Sequence, residues 1–83
     1  MKRLILVRHA TAASERQGVD DWHRPLVDHG QSDAKRLGNT LAEQDVMPES
    51  LMSSSAIRAS STAHHLASTL GFPEAEIVSD HDL

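Results

Sequence analysis

Four consecutive apolar residues, Leu4-Ile5-Leu6-Val7, follow the basic pair Lys2-Arg3 and stop abruptly at Arg8-His9. A continuous, partly β-branched apolar run of this kind predicts a strand buried on both faces of a parallel sheet, since a strand with one wet face would alternate. Ligands of open α/β sheets bind beyond the carboxyl ends of the strands, so Arg8 and His9 are expected at the functional edge. This run is the longest apolar stretch in the chain and far too short for a membrane span or the apolar core of a signal peptide. The expectation is therefore a cytoplasmic protein without a membrane partner.

The chain has 83 residues, 39% of them hydrophobic and 24% charged, a balance typical of a folded soluble protein. One small domain over residues 1–83 is the ceiling. A core of this size is marginal, because only about 60–65% of the unfolded surface is buried on folding. With no cysteine, neither disulfides nor a thiolate metal site is available, and the composition suits a reducing compartment. A net charge of −4 disfavours nucleic acid as a partner, because such binders release counterions by neutralising phosphates. Trp22 and Phe72, the only aromatic residues, leave little material for base stacking. Charge is distributed unevenly: residues 1–36 carry +2 and residues 37–83 carry −6, with Arg58 the sole base of the second part. An isolated cation there is either a solvated side chain or an anion ligand.

Between Ala10 and Pro25 the residues Thr11, Ser14, Gly18, the Asp20-Asp21 pair and Arg24-Pro25 predict a long loop. Asp28-His29-Gly30-Gln31 has capping-box spacing, with Asp28 as N-cap. Ala34, Leu37, Gly38 and Leu41 then mark one face of a helix running to about Gln44. Ser50–Ser53 predicts a second short strand, and Ser53-Ser54-Ser55 offers N-caps for a second helix. That helix has the apolar face Ala59, Ala63, Leu66, Ala67 and Leu70, with Gly71 ending it and Pro73 beyond. Glu76–Ser79 predicts a third strand. The order β-α-β-α-β implies parallel strands joined by crossovers. It predicts an α/β fold of three α/β/α layers around a mainly parallel sheet, of which this chain is an incomplete portion.

Arg58 falls in the first turn of the second helix, just after a strand end, so the topology carries it to the same sheet edge as Arg8. A His at a strand end, taken alone, is more often a hydrogen-bonded structural residue than a nucleophile, but two guanidiniums flanking an imidazole would also make a phosphoryl clamp. The free N–H groups near Ser54 and Ser55 add anion-binding donors. The adjacent His64-His65 point in different directions along a helix, which argues against a shared metal. Asp20-Asp21 reads as a solvated turn, and His23 and His29 as surface residues.

Three segments in register, Leu6-Val7-Arg8-His9-Ala10, Arg24-Pro25-Leu26 with Gly30 following, and Ser53-Ser54-Ser55-Ala56-Ile57-Arg58-Ala59-Ser60-Ser61-Thr62-Ala63, resemble the histidine phosphatase superfamily of phosphoglycerate mutase-like fold. They are most similar to its small SixA-like phosphohistidine phosphatases. The resemblance implies a cofactor-independent phosphatase in which His9 is transiently phosphorylated and water then releases phosphate. It makes His9 the nucleophile and Arg8 and Arg58 the phosphoryl-binding residues, with neither metal nor cofactor. The implied partner is a phosphohistidine-bearing protein or a small phosphorylated molecule.

Ala10 stands where many members have Gly, and Ser55 where Pro is common. The family also completes its pocket with a second His, preceded by Gly, after a later strand. His64, His65 and His81 have no such setting, so the 83 residues are expected to be the N-terminal portion of a longer domain. A partial domain of this kind is expected to self-associate. Asp80-His81-Asp82 sits where related mutases begin to present an acid, but no position matches, and no general acid is assigned. Two rival readings follow: a non-catalytic phosphate-binding fragment, and a mutase, which would need an acid and a lid not found here.

Overall fold

The computed structural model describes residues 4–13 and 21–83. Lys2 and Arg3 of the expected first strand, and Ser14, Gly18 and Asp20 of the expected loop, lie outside the described residues. A 3-10 turn over Asp21–His23 precedes helix α1 (Asp28–Glu43). Strand β1 (Met52–Ser54), helix α2 (Ile57–Leu70), a 3-10 turn over Glu74–Glu76 and strand β2 (Val78–Asp80) follow.

The two strands are parallel, pairing Met52 with Val78, Ser53 with Ser79 and Ser54 with Asp80, and α2 is the crossover between them. The ladder continues past both ends, where the Val78 N–H donates to the Leu51 carbonyl at 2.9 Å and the Ser55 N–H to Asp80 at 3.3 Å. The α/β class and the parallel sheet are as the sequence predicts.

Both helices form where the 3.6-residue period places them. The core consists of Leu26, Ala34, Ala56, Ala63, Leu66, Ala67, Leu70 and Phe72, most of it on the facing surfaces of α1 and α2. Gly38 lets the helices approach: a Cβ there would overlap the Thr69 hydroxyl and lie 2.8 Å from Thr69 Cβ. Gly71 takes the left-handed conformation (φ 74°), and the Phe72 N–H returns to the Ala67 carbonyl at 2.9 Å. Only glycine adopts that cap without steric penalty.

The first strand is corrected. Leu4–Val7 carry no strand pairing, and Leu4 and Leu6 are 83% and 86% exposed. Strand character requires a hydrogen-bonded neighbour as well as apolar side chains. Here the segment is fixed at its carboxyl end, through Ala10, and borders an apolar cavity of about 610 Å³ against Leu41, Leu66 and Leu70 without filling it. The described residues thus give α-β-α-β with two strands, where three were expected.

Both helix starts also move. Asp28 is the first helical residue and not the N-cap; Val27 occupies that position, its N–H bonded to Thr11 and its carbonyl accepting the Gln31 N–H, both at 3.0 Å. Pairing with Thr11 holds Val27 extended, and this sets the helix start. Asp28 instead places a carboxylate in the first turn, at the positive end of the helix dipole. Ala56, and none of the serines, is the N-cap of α2, because Ser53 and Ser54 are spent in β1 and Ser55 extends its ladder. The strands begin two residues later than expected, at Met52 and Val78.

Candidate functional site

Thr62 joins the Arg8-His9 segment to the head of α2. Its hydroxyl donates to the Arg58 carbonyl at 2.7 Å, the preceding turn of its own helix, and accepts the Ala10 N–H at 3.0 Å across 52 residues. A threonine hydroxyl has one proton, so the donor role within the helix leaves a lone pair free for Ala10. Thr62 is buried. The backbone after His9 is thereby held one hydroxyl away from the backbone of Arg58.

His9 is half-buried, and its Nδ1 lies 2.7 Å from the Ala10 carbonyl oxygen. A carbonyl can only accept, so this bond puts the ring proton on Nδ1 and leaves Nε2 with its lone pair. The tautomer that a nucleophilic imidazole needs is fixed by the residue next in the chain.

A second set of contacts builds the wall around it. Ala12 bridges antiparallel to Leu26, the Ala13 N–H donates to the Pro25 carbonyl at 2.8 Å, and Arg24 Nη1 donates back to the Ala13 carbonyl at 3.2 Å. Gly30 in the first turn of α1 sits against Thr11, where a Cβ would overlap the Thr11 carbonyl. These contacts border an open pocket of about 530 Å³ lined by Arg8, His9, Ala10, Thr11, Ala12, Arg24 and Asp33.

Of the expected site residues, Arg8 and His9 share this pocket. Arg58 lies half-buried in the first turn of α2, its backbone tied to the same segment through Thr62, and its head group is not among the pocket-lining groups. His23 and His29 are exposed, as expected. His64 is exposed and pairs with Glu74 at 3.8 Å, His65 is half-buried on α2, and His81 packs against Trp22 with ring centroids 4.5 Å apart and planes tilted by 42°. None of the three lines the His9 pocket.

Arg24 and Asp33 are the charged pocket residues that sequence reasoning did not single out as site residues. Arg24 was already part of a recognised segment. Asp33 could have been found from Gly30, since residues three apart share a helix face and the close approach at Gly30 turns that face toward Thr11.

A sequence model of the histidine phosphatase superfamily (branch 1) matches residues 4–83. This chain belongs to that superfamily. Among solved structures it is similar to a SixA protein of Agrobacterium tumefaciens assigned as a phosphohistidine phosphatase, with a TM-score of 0.84 and 26% identity over 92% of this chain and 48% of that one. It is also similar to the protein histidine phosphatase SixA complexed with tungstate, with a TM-score of 0.78 and 26% identity over 87% of this chain and 44% of that one. An uncharacterised chloroplastic protein of Arabidopsis thaliana is 32% identical over 77 residues, 92% of this chain and 35% of the plant protein. The chain thus spans just under half of the two SixA chains and about a third of the plant relative.

The superfamily's two small departures here have structural consequences. The Ala10 carbonyl still receives the His9 ring, so the missing glycine leaves that contact in place. Ser55, in place of a common proline, contributes an N–H that extends the β1–β2 ladder to Asp80, a bond proline could not make.

Proposed function

We propose that the protein carrying this chain hydrolyses a phosphoryl group through a phosphohistidine intermediate, with phosphohistidine on a protein as the preferred substrate. The observation that carries this reading is the His9 Nδ1 contact to the Ala10 carbonyl, which presents Nε2 as a nucleophile in a pocket shared with Arg8 and Arg24. The tungstate-bound relative supports it, because tungstate is a tetrahedral oxyanion with the shape of phosphate.

In the first step Nε2 of His9 attacks phosphorus and the bond to the leaving oxygen or nitrogen breaks. Water then attacks phospho-His9, the phosphorus–nitrogen bond breaks, and inorganic phosphate leaves. Arg8 and Arg58 offset the charge on the equatorial oxygens, and Arg58 reaches them from the head of α2 when substrate is bound. The imidazole of a phosphohistidine leaves phosphorus more readily than an alkoxide does. A site without an assigned general acid therefore favours phosphohistidine over small phosphoesters.

Acid-labile, alkali-stable phosphoenzyme trapped with radiolabelled phosphohistidine protein tests the reading. It is expected in the unaltered protein and absent from His9→Ala, whose turnover is abolished. Arg58→Ala is expected to lose about 10²–10³ in rate, the usual effect of removing one charge-stabilising donor. Undiminished hydrolysis by His9→Ala removes the nucleophile assignment.

The openness of the pocket, on whose wall His9 is the one histidine among the described residues, favours one alternative: phosphate binding without turnover. That reading predicts saturable tungstate binding and no phosphoenzyme.

A further inference from the structure

The proposed phosphoryl pocket carries one anion on its wall. Asp33, in the second turn of α1, lines it together with Arg8, His9 and Arg24. A carboxylate beside a phosphoryl site weakens binding of phosphate alone, since the two repel. The nearest cation on its own helix, Arg36, is 3.6 Å away, but it is 78% exposed and the pair joins residues three apart on the helix surface. Such pairs neutralise a carboxylate only weakly. Asp33 itself is half-exposed and reaches both the pocket and the solvent outside it.

Resting on the phosphatase reading above, we infer that Asp33 is a specificity-determining residue that accepts a cationic group next to the phosphorylated one. The substrate class it favours is a phosphohistidine segment with lysine or arginine beside the phosphorylated residue. Arg8 and Arg58 take the phosphoryl oxygens, while Asp33, which can only accept hydrogen bonds, takes the neighbouring ammonium or guanidinium. A flanking carboxylate is repelled from the same wall, so small phosphorylated acids are poor substrates.

The test compares two phosphohistidine peptides that differ only in a flanking Lys or Glu, at low salt, with the whole protein that carries this chain. The unaltered protein is expected to favour the Lys peptide in kcat/KM by about three- to tenfold, the scale of partly exposed charge contacts, and to lose that preference as salt rises. In Asp33→Asn the ratio falls to one or below, because Arg8 and Arg24 then dominate the wall. Arg36→Gln, which frees the carboxylate from its outer partner, raises the ratio. Hydrolysis of both peptides with a ratio that neither substitution moves overturns the inference and leaves the phosphatase reading standing. Hydrolysis of neither overturns both.

Discussion

Thr62 shows how much of the site depends on a residue that need not touch substrate. Its buried hydroxyl holds the Ala10 N–H on one side and the Arg58 carbonyl on the other. Thr62→Val keeps the shape but leaves the Ala10 N–H without its acceptor, while the Arg58 carbonyl keeps its helical N–H partner; this is expected to cost about 1–3 kcal/mol in urea unfolding and to lower turnover by loosening His9 relative to Arg58. Thr62→Ser keeps the hydroxyl and should recover most of both; equal loss in the two variants would show that the methyl matters and the hydrogen bonds do not. At this scale the sequence was legible where chemistry is concentrated in a few residue types. Arg8-His9 at the end of an apolar run stood out, and so did Arg58 as the only base in an acidic half. Thr62 did not, because a threonine on a helix face gives no sign of whether its hydroxyl bonds only its own helix or also a segment 52 residues away.

The two glycines of α1 carry the element-scale arguments. At Gly38 an added Cβ meets Thr69, whose hydroxyl is already held by the His65 and Leu66 carbonyls at 3.1 and 3.0 Å and cannot swing aside freely. Gly38→Ala is therefore expected to destabilise by about 1–3 kcal/mol from overpacking, less about 1 kcal/mol of improved helix propensity. Adding Thr69→Ala should return part of the loss in a double-mutant cycle, and full additivity of the two changes would refute the contact. At Gly30 the obstacle is the Thr11 carbonyl, which is backbone and also accepts the Val27 N–H. Gly30→Ala is expected to reduce turnover more than Gly38→Ala at matched stability, because the group it displaces lies two residues from His9. Comparable turnover in the two, measured well below their unfolding midpoints, would sever α1 from the site. The helices were read nearly to the residue because a 3.6-residue period extends over four turns and Gly71 marks an end physically. Strand bounds were read less well. Three-residue strands carry too little periodicity, and a run such as Ser53-Ser54-Ser55 fits a strand, a cap or a turn equally, so tertiary pairing decides.

For the molecule as a whole, the unfilled cavity and the exposed apolar segment belong together. Leu4, Ile5, Leu6 and Val7 border the 610 Å³ space, yet Leu4 and Leu6 stay largely in water and Ile5 and Val7 are only about half covered, with Met52, Val78 and Leu83 exposed as well. Four of the eight apolar core residues are alanines, which bury little surface each. The apolar area that would make the fold secure is present in the chain but remains outside the core, which is why an apolar run that predicts a buried strand is found unpaired. Among the described residues no third strand pairs with either edge of the two-stranded sheet, and such edges invite pairing with another copy. The 83-residue chain alone is therefore expected to unfold at or below the low end of the usual range of about 5–15 kcal/mol, and to associate as its concentration rises. Ile5→Lys and Leu6→Lys place charge on the exposed segment, and each should shift sedimentation toward monomer. Ile5→Lys should also lower stability, since Ile5 is 52% exposed and retains contacts that a charge would lose, whereas Leu6, at 86%, has few to lose. A chain that sediments as a monomer at every concentration, and whose behaviour neither substitution changes, would mean that Leu4–Val7 is already buried in solution and that the cavity closes without a partner.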